Sequence, residues 1–185
     1  MSEAVLKQAE SGMEKSLSAL RAELSKVRTG RASTSLLEDV QVEYYGSPTP
    51  INQVATLSAP EPRLLTVSPW DASVIPLIEK AIVASDLGLT PSNDGKLIRI
   101  PIPALTEERR KDLVKLVKKY GEEAKVAVRH HRREAMDKLK KLEKDKELSE
   151  DDGKRLEEKI QKLTDSFVSK VDQILEKKEK DILEV

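Results

Sequence analysis

The sequence predicts an α+β protein. A long three-helix bundle is expected from residues 1–29 and 106–185, with a small β/α/β domain at 31–105 inserted between the first and second helices. Three observations lead there. Apolar residues recur at helical steps of three and four in three separate stretches, and none of these can bury its stripe alone. Most of the prolines and most of the β-branched runs are confined to 31–105. The chain of 185 residues is 36% charged and only 3% aromatic, and a composition so rich in Lys, Glu, Leu and Ala favours long helices.

The first helix follows Leu6, Ala9, Met13, Leu17, Leu20, Leu24 and Val27. Gly12 is a weak point that such a helix tolerates. Thr29-Gly30 is its expected end, because glycine suits the left-handed residue that closes a helix. Beyond it, Val40, Val42 and Tyr44 alternate with Gln41 and Glu43, the pattern of a half-buried strand. Gly46-Ser47-Pro48-Thr49-Pro50 reads as a turn. Ile51 to Leu57 and Arg63 to Val67 read as strands, with a loop between Pro60 and Pro62. Asp71 or Ser73 can cap a helix through Ile75, Leu77, Ile78, Ala81 and Ile82. Leu97 to Ile102 form the last strand.

The second bundle helix, Thr106 to about Lys144, organises the chain. Thr106 can cap its first turn, and Glu107 and Glu108 suit the positive end of its dipole. Its seam is Leu113, Val117, Tyr120, Ala124, Ala127, His131, Ala135, Leu139 and Leu142. At 1.5 Å per residue this helix is about 55–60 Å long, too long for the core helix of a compact globule. The third begins at the capping Ser149, followed by three acids, and carries Leu156, Ile160, Leu163, Phe167, Val171, Ile174 and Ile182 on its seam. The short Lys144–Leu148 connection makes the second and third helices antiparallel neighbours. The three seams close on one another, so a monomer is expected and not a zipper dimer.

Two linkers join the insertion to the bundle and predict a hinge at 30–33 and 101–105. Gly30 permits φ changes beside Arg31 and Ala32. On the return strand Pro101 and Pro103 stiffen the segment that leads through Ala104 and Leu105. An insertion held this way can pivot, because few contacts need cross the boundary.

Lys+Arg and Asp+Glu are both 33, so the formal net charge is zero and only the placement of charge can point to a partner. On the second bundle helix, at about 100° per residue, Lys111, Lys115, Lys118, Lys125, Arg129, Arg132, Arg133 and Lys140 fall in an arc roughly 100–200° from the seam. Asp112, Glu123, Glu134 and Asp137 take the other flank, and Glu122 lies within the arc. A one-sided basic stripe is a candidate polyanion surface. A lopsided solvated face has the same pattern. Arg21 and Arg28, seven residues apart, share one side of the first helix.

Several function classes find no support. The chain has no Cys, which excludes disulfides and thiol catalysis and fits a reducing, cytoplasmic setting. No run approaches the roughly 18 apolar residues of a membrane span, and the N-terminus does not read as a signal or transit peptide. His130 and His131 are adjacent on a helix and point about 100° apart, so they make no two-ligand metal site. His131 falls on the seam, as a core histidine with a hydrogen-bond partner. Gly95-Lys96 lacks the glycine spacing of a phosphate loop, and Asp145 to Gly153 lacks the ligand alternation of a calcium loop. No catalytic constellation is present, so neither an enzyme nor a cofactor is expected.

Five stretches resemble the ribosome recycling factor family, of bacterial type, from end to end. They are Lys26-Val-Arg-Thr-Gly-Arg-Ala-Ser33, Val42-Glu-Tyr-Tyr-Gly-Ser-Pro-Thr-Pro50, Lys80-Ala-Ile-Val-Ala-Ser-Asp-Leu-Gly-Leu89, Pro103-Ala-Leu-Thr-Glu-Glu-Arg-Arg-Lys-Asp-Leu113 and Val126-Ala-Val-Arg-His-His-Arg-Arg-Glu-Ala135. The resemblance implies an L-shaped, two-domain protein that binds the large ribosomal subunit after termination. With elongation factor G and GTP it would help split the subunits, the GTPase being the partner. It implies ribosomal RNA contacts at Arg28, Arg31, Arg110, Arg129, Arg132 and Arg133. Where the family's usual motif has Asn and an apolar residue between Arg129 and Arg132, this chain has His130 and His131. Without the resemblance, a coiled-coil adaptor that binds only proteins and a general double-stranded RNA binder would also fit the residues.

Overall fold

A computed structural model describes residues 2–184. Met1 and Val185, the outermost residues of the predicted bundle segments, lie outside the described residues. The chain separates into two compact units: one takes in the chain up to Thr29 together with Glu107–Glu184, the other Gly30–Thr106.

The first unit consists of α1 (Ser2–Ser25), α3 (Glu107–Lys144) and α4 (Glu150–Leu183). α3 runs antiparallel to both neighbours. On the α1 side Lys138 lies against Gln8, and on the α4 side Lys125 meets Asp172. Val5 and Ala9 of α1, Ala135 and Leu139 of α3, and Leu156 and Ile160 of α4 share one apolar cluster, so each helix covers the stripe of the other two. Ser149 caps α4 by accepting from Asp152 N at 3.1 Å, which satisfies an otherwise orphaned donor and is worth about 1 kcal/mol.

The buried lines differ from the predicted seams in detail. On α1, Val5 is buried in place of Leu6. The helix stops at Ser25, short of Thr29-Gly30, and its end is tightened by Lys26 N to Glu23 O and Val27 N to Leu24 O. On α3 the buried residues are Leu113, Val117, Gly121, Ala124, Val128, Ala135 and Leu139. Tyr120, Ala127, His131 and Leu142 lie half-exposed beside that line. The burial axis is therefore rotated by roughly 30° toward the basic arc. His131 is 29% exposed rather than a core residue. On α4, Thr164 is buried, its hydroxyl donating to Ile160 O at 2.8 Å, while Leu163 is half-exposed.

The second unit holds β1 (Gln41–Tyr44), β2 (Ser47–Pro50), β3 (Ala55–Glu61), β4 (Leu64–Pro69), α2 (Ile75–Ala84), β5 (Ser92–Asn93) and β6 (Ile98–Pro101). β1 and β2 form an antiparallel hairpin. The other strands form an antiparallel sheet in the order β3-β4-β6-β5. Leu37, Val42, Ile51, Leu65, Val67, Ile78, Ile82, Ile98 and Ile100 are fully buried between these elements.

The prolines of this unit do not mark the loops expected of them. Ser47–Pro50 is a strand and not a turn, with Pro48 opposite Glu43; both strands of a two-stranded hairpin are edges, where proline costs no ladder bond. The turn is the pair Tyr45-Gly46, with φ of 48° and 76°, as a tight hairpin requires. Pro60 lies within the edge strand β3, where the register shifts between Ser58 and Glu61. Ile51–Gln53 is a short 3-10 turn, and the strand begins at Ala55.

The linker segments are fastened to this unit. Ala32 N donates to Pro62 O at 2.7 Å and Ile102 N donates to Arg63 O at 2.8 Å. Pro101 belongs to β6, paired with Leu64. Gly30 has φ of 77°, the left-handed region.

Candidate nucleic-acid interface

The candidate residues of the first unit fall into two groups and not one. Arg129, Arg132 and Arg133 lie together on α3. Arg110 is some 19 residues earlier on the same helix, about 28 Å away along its axis. Arg28 follows α1 beyond Glu23, where α1 borders Tyr120 of α3, and so lies toward the Arg110 end of the bundle. Arg31 belongs to the other unit and is exposed there.

Within the α3 group the helix twist sets different roles. Arg129 and Arg133, one turn apart, are exposed and form no ion pair among the described residues. Arg132 sits roughly 55° from the centre of the buried line and is drawn against α4. Its Nη1 donates to Gln161 Oε1 at 2.9 Å, and Gln161 Nε2 donates to Asp165 Oδ1 at 2.9 Å. Its Nε is buried and has no hydrogen-bond partner among the described residues. The arc measured from the predicted seam puts Arg132 at least about 100° away, but the rotation of the buried line leaves the residue half-buried. Arg110 is held in a comparable way at the other end of α4. Its Nη1 donates to Leu183 O at 3.5 Å and its Nε is buried without a partner among the described residues.

The basic arc is thinned by partners that the sequence of α3 alone does not reveal. Lys125 Nζ lies 2.6 Å from Asp172 of α4 and 3.6 Å from Glu122. The hydrogen bond to Asp172 holds the Lys125 ammonium above its ordinary pKa of 10.5, against the opposing effect of burial. Lys111 pairs with Glu107 at 2.9 Å. Lys115, Lys118, Arg129, Arg133 and Lys140 remain exposed and form no ion pair among the described residues. Interrupted by the exposed Glu122, they still make a predominantly basic strip along the α4 side of α3, which suits phosphate better than an evenly mixed face does.

On the opposite, α1 side, the two histidines converge on one acid. His130 Nε2 lies 3.6 Å and His131 Nδ1 3.5 Å from the Glu134 carboxylate. The His131 ring rests against Gly12, where an added Cβ would come within 2.6 Å of Nδ1. Among the described residues no cluster of His, Cys, Asp or Glu could hold a metal ion. Among the same residues, no helix is long and apolar enough to cross a membrane.

The comparisons with known proteins agree with one another. The sequence model of the family described as ribosome recycling factor matches residues 20–183. A ribosome-recycling factor of Oleidesulfovibrio alaskensis is 58% identical over 181 residues, covering 98% of each chain. That of Geobacillus thermodenitrificans is 57% identical over 185 residues, covering all of both. A solution structure of a ribosome recycling factor superposes with a TM-score of 0.79 at 44% identity, covering 100% of this chain and 98% of the other. A second structure, with a TM-score of 0.67, 54% identity and 99% coverage of each chain, is of a Thermus thermophilus ribosome recycling factor. There it accompanies the elongation factor G of Escherichia coli, bound to the post-termination complex of that organism.

Proposed function

The chain belongs to the ribosome recycling factor family. From that premise we propose that it binds the large ribosomal subunit of post-termination complexes. With elongation factor G and GTP, it promotes subunit splitting and release of the ribosome from mRNA. It is a translation factor and not an enzyme; the nucleotide chemistry belongs to its partner, and it acts in the cytoplasm. The observation that carries this reading is identity of more than half over the full length of relatives with that function.

The arginines supply the physical means. Arg129, Arg132 and Arg133 contact ribosomal RNA phosphate, with Arg28, Arg31 and Arg110 as further contacts. A guanidinium grips phosphate through parallel charge-assisted hydrogen bonds and thereby positions a body on folded RNA. The inserted domain acts as the lever. Because Ala32, Pro101 and Ile102 are bonded into its sheet region, we place the pivot at Gly30–Arg31 and Pro103–Leu105. This is narrower than 30–33 and 101–105.

The test is a polysome breakdown assay with the matching elongation factor G and GTP. Conversion of polysomes to subunits that requires all three components supports the reading. Salt-sensitive binding to naked RNA duplexes, equal to that for large subunits, would favour a general RNA binder. No binding to RNA or subunits at modest salt would favour a protein-only adaptor.

A further inference from the structure

We propose that Gln161 of α4 is a positioning residue for the Arg132 guanidinium, and that Asp165 fixes the orientation of the Gln161 amide. The inference rests on the reading of Arg132 as a phosphate contact and adds α4 to the RNA-binding machinery.

The chemistry of the three side chains determines their order. Arginine only donates and an ionised aspartate only accepts, whereas a glutamine amide does one at each end. Asp165 accepts from Gln161 Nε2 at 2.9 Å and so turns the amide oxygen toward Arg132, which donates to it from Nη1 at 2.9 Å. A flipped amide would set two donors against each other and leave two acceptors facing. The chain Arg132–Gln161–Asp165 is therefore satisfied in one sense only.

Two further facts narrow what Arg132 can do. Its Nε is buried without a partner, so that edge of the guanidinium is unavailable to a ligand. With one Nη1 hydrogen engaged by Gln161, Nη2 and the second Nη1 hydrogen are the donors without a protein partner among the described residues. Gln161 thus selects which edge is offered. It does so as a neutral group. A carboxylate at the same place would hold the guanidinium equally well, but would neutralise the charge that a phosphate needs. The formal charge of Asp165 is set one side chain further back.

The test measures large-subunit affinity, its salt dependence and thermal stability for the full chain. Gln161→Met keeps length and removes the acceptor. It should weaken binding about 3- to 10-fold, lower the salt slope toward that of Arg132→Ala, and lower the melting temperature by about 2–4 °C, no further than Arg132→Ala does. In the Arg132→Ala background, Gln161→Met should cost nothing more, because the two act through one contact. Gln161→Glu should bind more weakly, since it sets a carboxylate beside the Arg132 guanidinium and a second like charge against Asp165. If Arg132→Ala weakens binding while Gln161→Met binds as wild type, or the two losses add in the double variant, the positioning role is overturned. Unaltered binding by Gln161→Glu would overturn it as well. If Arg132→Ala itself binds normally, the reading of Arg132 as a phosphate contact fails, and the positioning role with it.

Discussion

The Leu105 side chain occupies the space into which any side chain at Gly30 would grow. A Cβ on Gly30 would lie 3.1 Å from Leu105 Cγ and 3.3 Å from Cδ1. The outgoing and returning linkers are thus in contact at one point, and the glycine there has φ of 77°. Gly30→Ala should destabilise the fold by about 1–2 kcal/mol from the left-handed backbone alone, measured by denaturant unfolding. It should slow recycling more than it weakens subunit binding. Gly30→Pro should be worse than alanine, since proline demands φ near −65° and would redirect the chain instead of stiffening it.

Arg129 and Arg133 should separate from Arg132 in stability. Both are exposed, so either alanine variant should leave unfolding free energy within about 0.5 kcal/mol of wild type. Arg132→Ala loses the bond to Gln161 and should cost about 1 kcal/mol. Each of the three should lower the salt slope of large-subunit binding by about one unit. Equal stability of all three variants would show that the Gln161 contact adds nothing to the bundle.

Gly121 lets α3 approach α4 closely, because an added Cβ would meet the end of the Leu175 side chain. Gly121→Ala gains helix propensity of about 1 kcal/mol but overpacks the contact by about 1–3 kcal/mol. The net expectation is a loss. Leu175→Ala should therefore be milder in the Gly121→Ala background than in wild type, which a double-mutant cycle by thermal unfolding will read.

Lys125 gives an alkaline signature. Its folded pKa is raised, so its stabilising effect is complete below the unfolded value near 10.5 and is lost as pH rises through the folded value. Lys125→Met should be less stable than wild type at neutral pH. The gap between the two melting curves should narrow above about pH 10.5. A gap that stays constant to high pH would mean that Lys125 acts through its aliphatic stem and not its charge.

The long helices were legible because periodicity survives small errors. A seam misplaced by roughly 30° still gives the right helix and nearly the right partners. That same error decided the fate of Arg132, which lies near the boundary between buried and exposed faces. Its partners Gln161 and Asp165 stand on another helix, and nothing in the spacing of α3 points to them. The hairpin was hidden for a different reason. Pro48 and Pro50 speak for a turn locally, but an edge strand accepts them, and Tyr45 at positive φ gives no sequence cue. The α3–α4 connection likewise puts Lys146 at φ of 59°, where glycine or asparagine would have announced it. The family motifs, by contrast, drew attention to the arginines directly, though not to which helices hold them.

Gly12 and His131 have a bearing on descent. The imidazole fills the notch that the absent side chain leaves, and an alanine in place of Gly12 would collide with the ring. Substitutions at the two positions should therefore depend on one another. A lineage that first exchanges His131 for a smaller residue opens a cavity, which a later Gly12→Ala change can fill. The opposite order passes through a clashing intermediate. Among relatives, bulky residues at position 131 should accompany glycine at position 12, and small ones should release it. The pair would then record the order in which the two neighbouring helices changed.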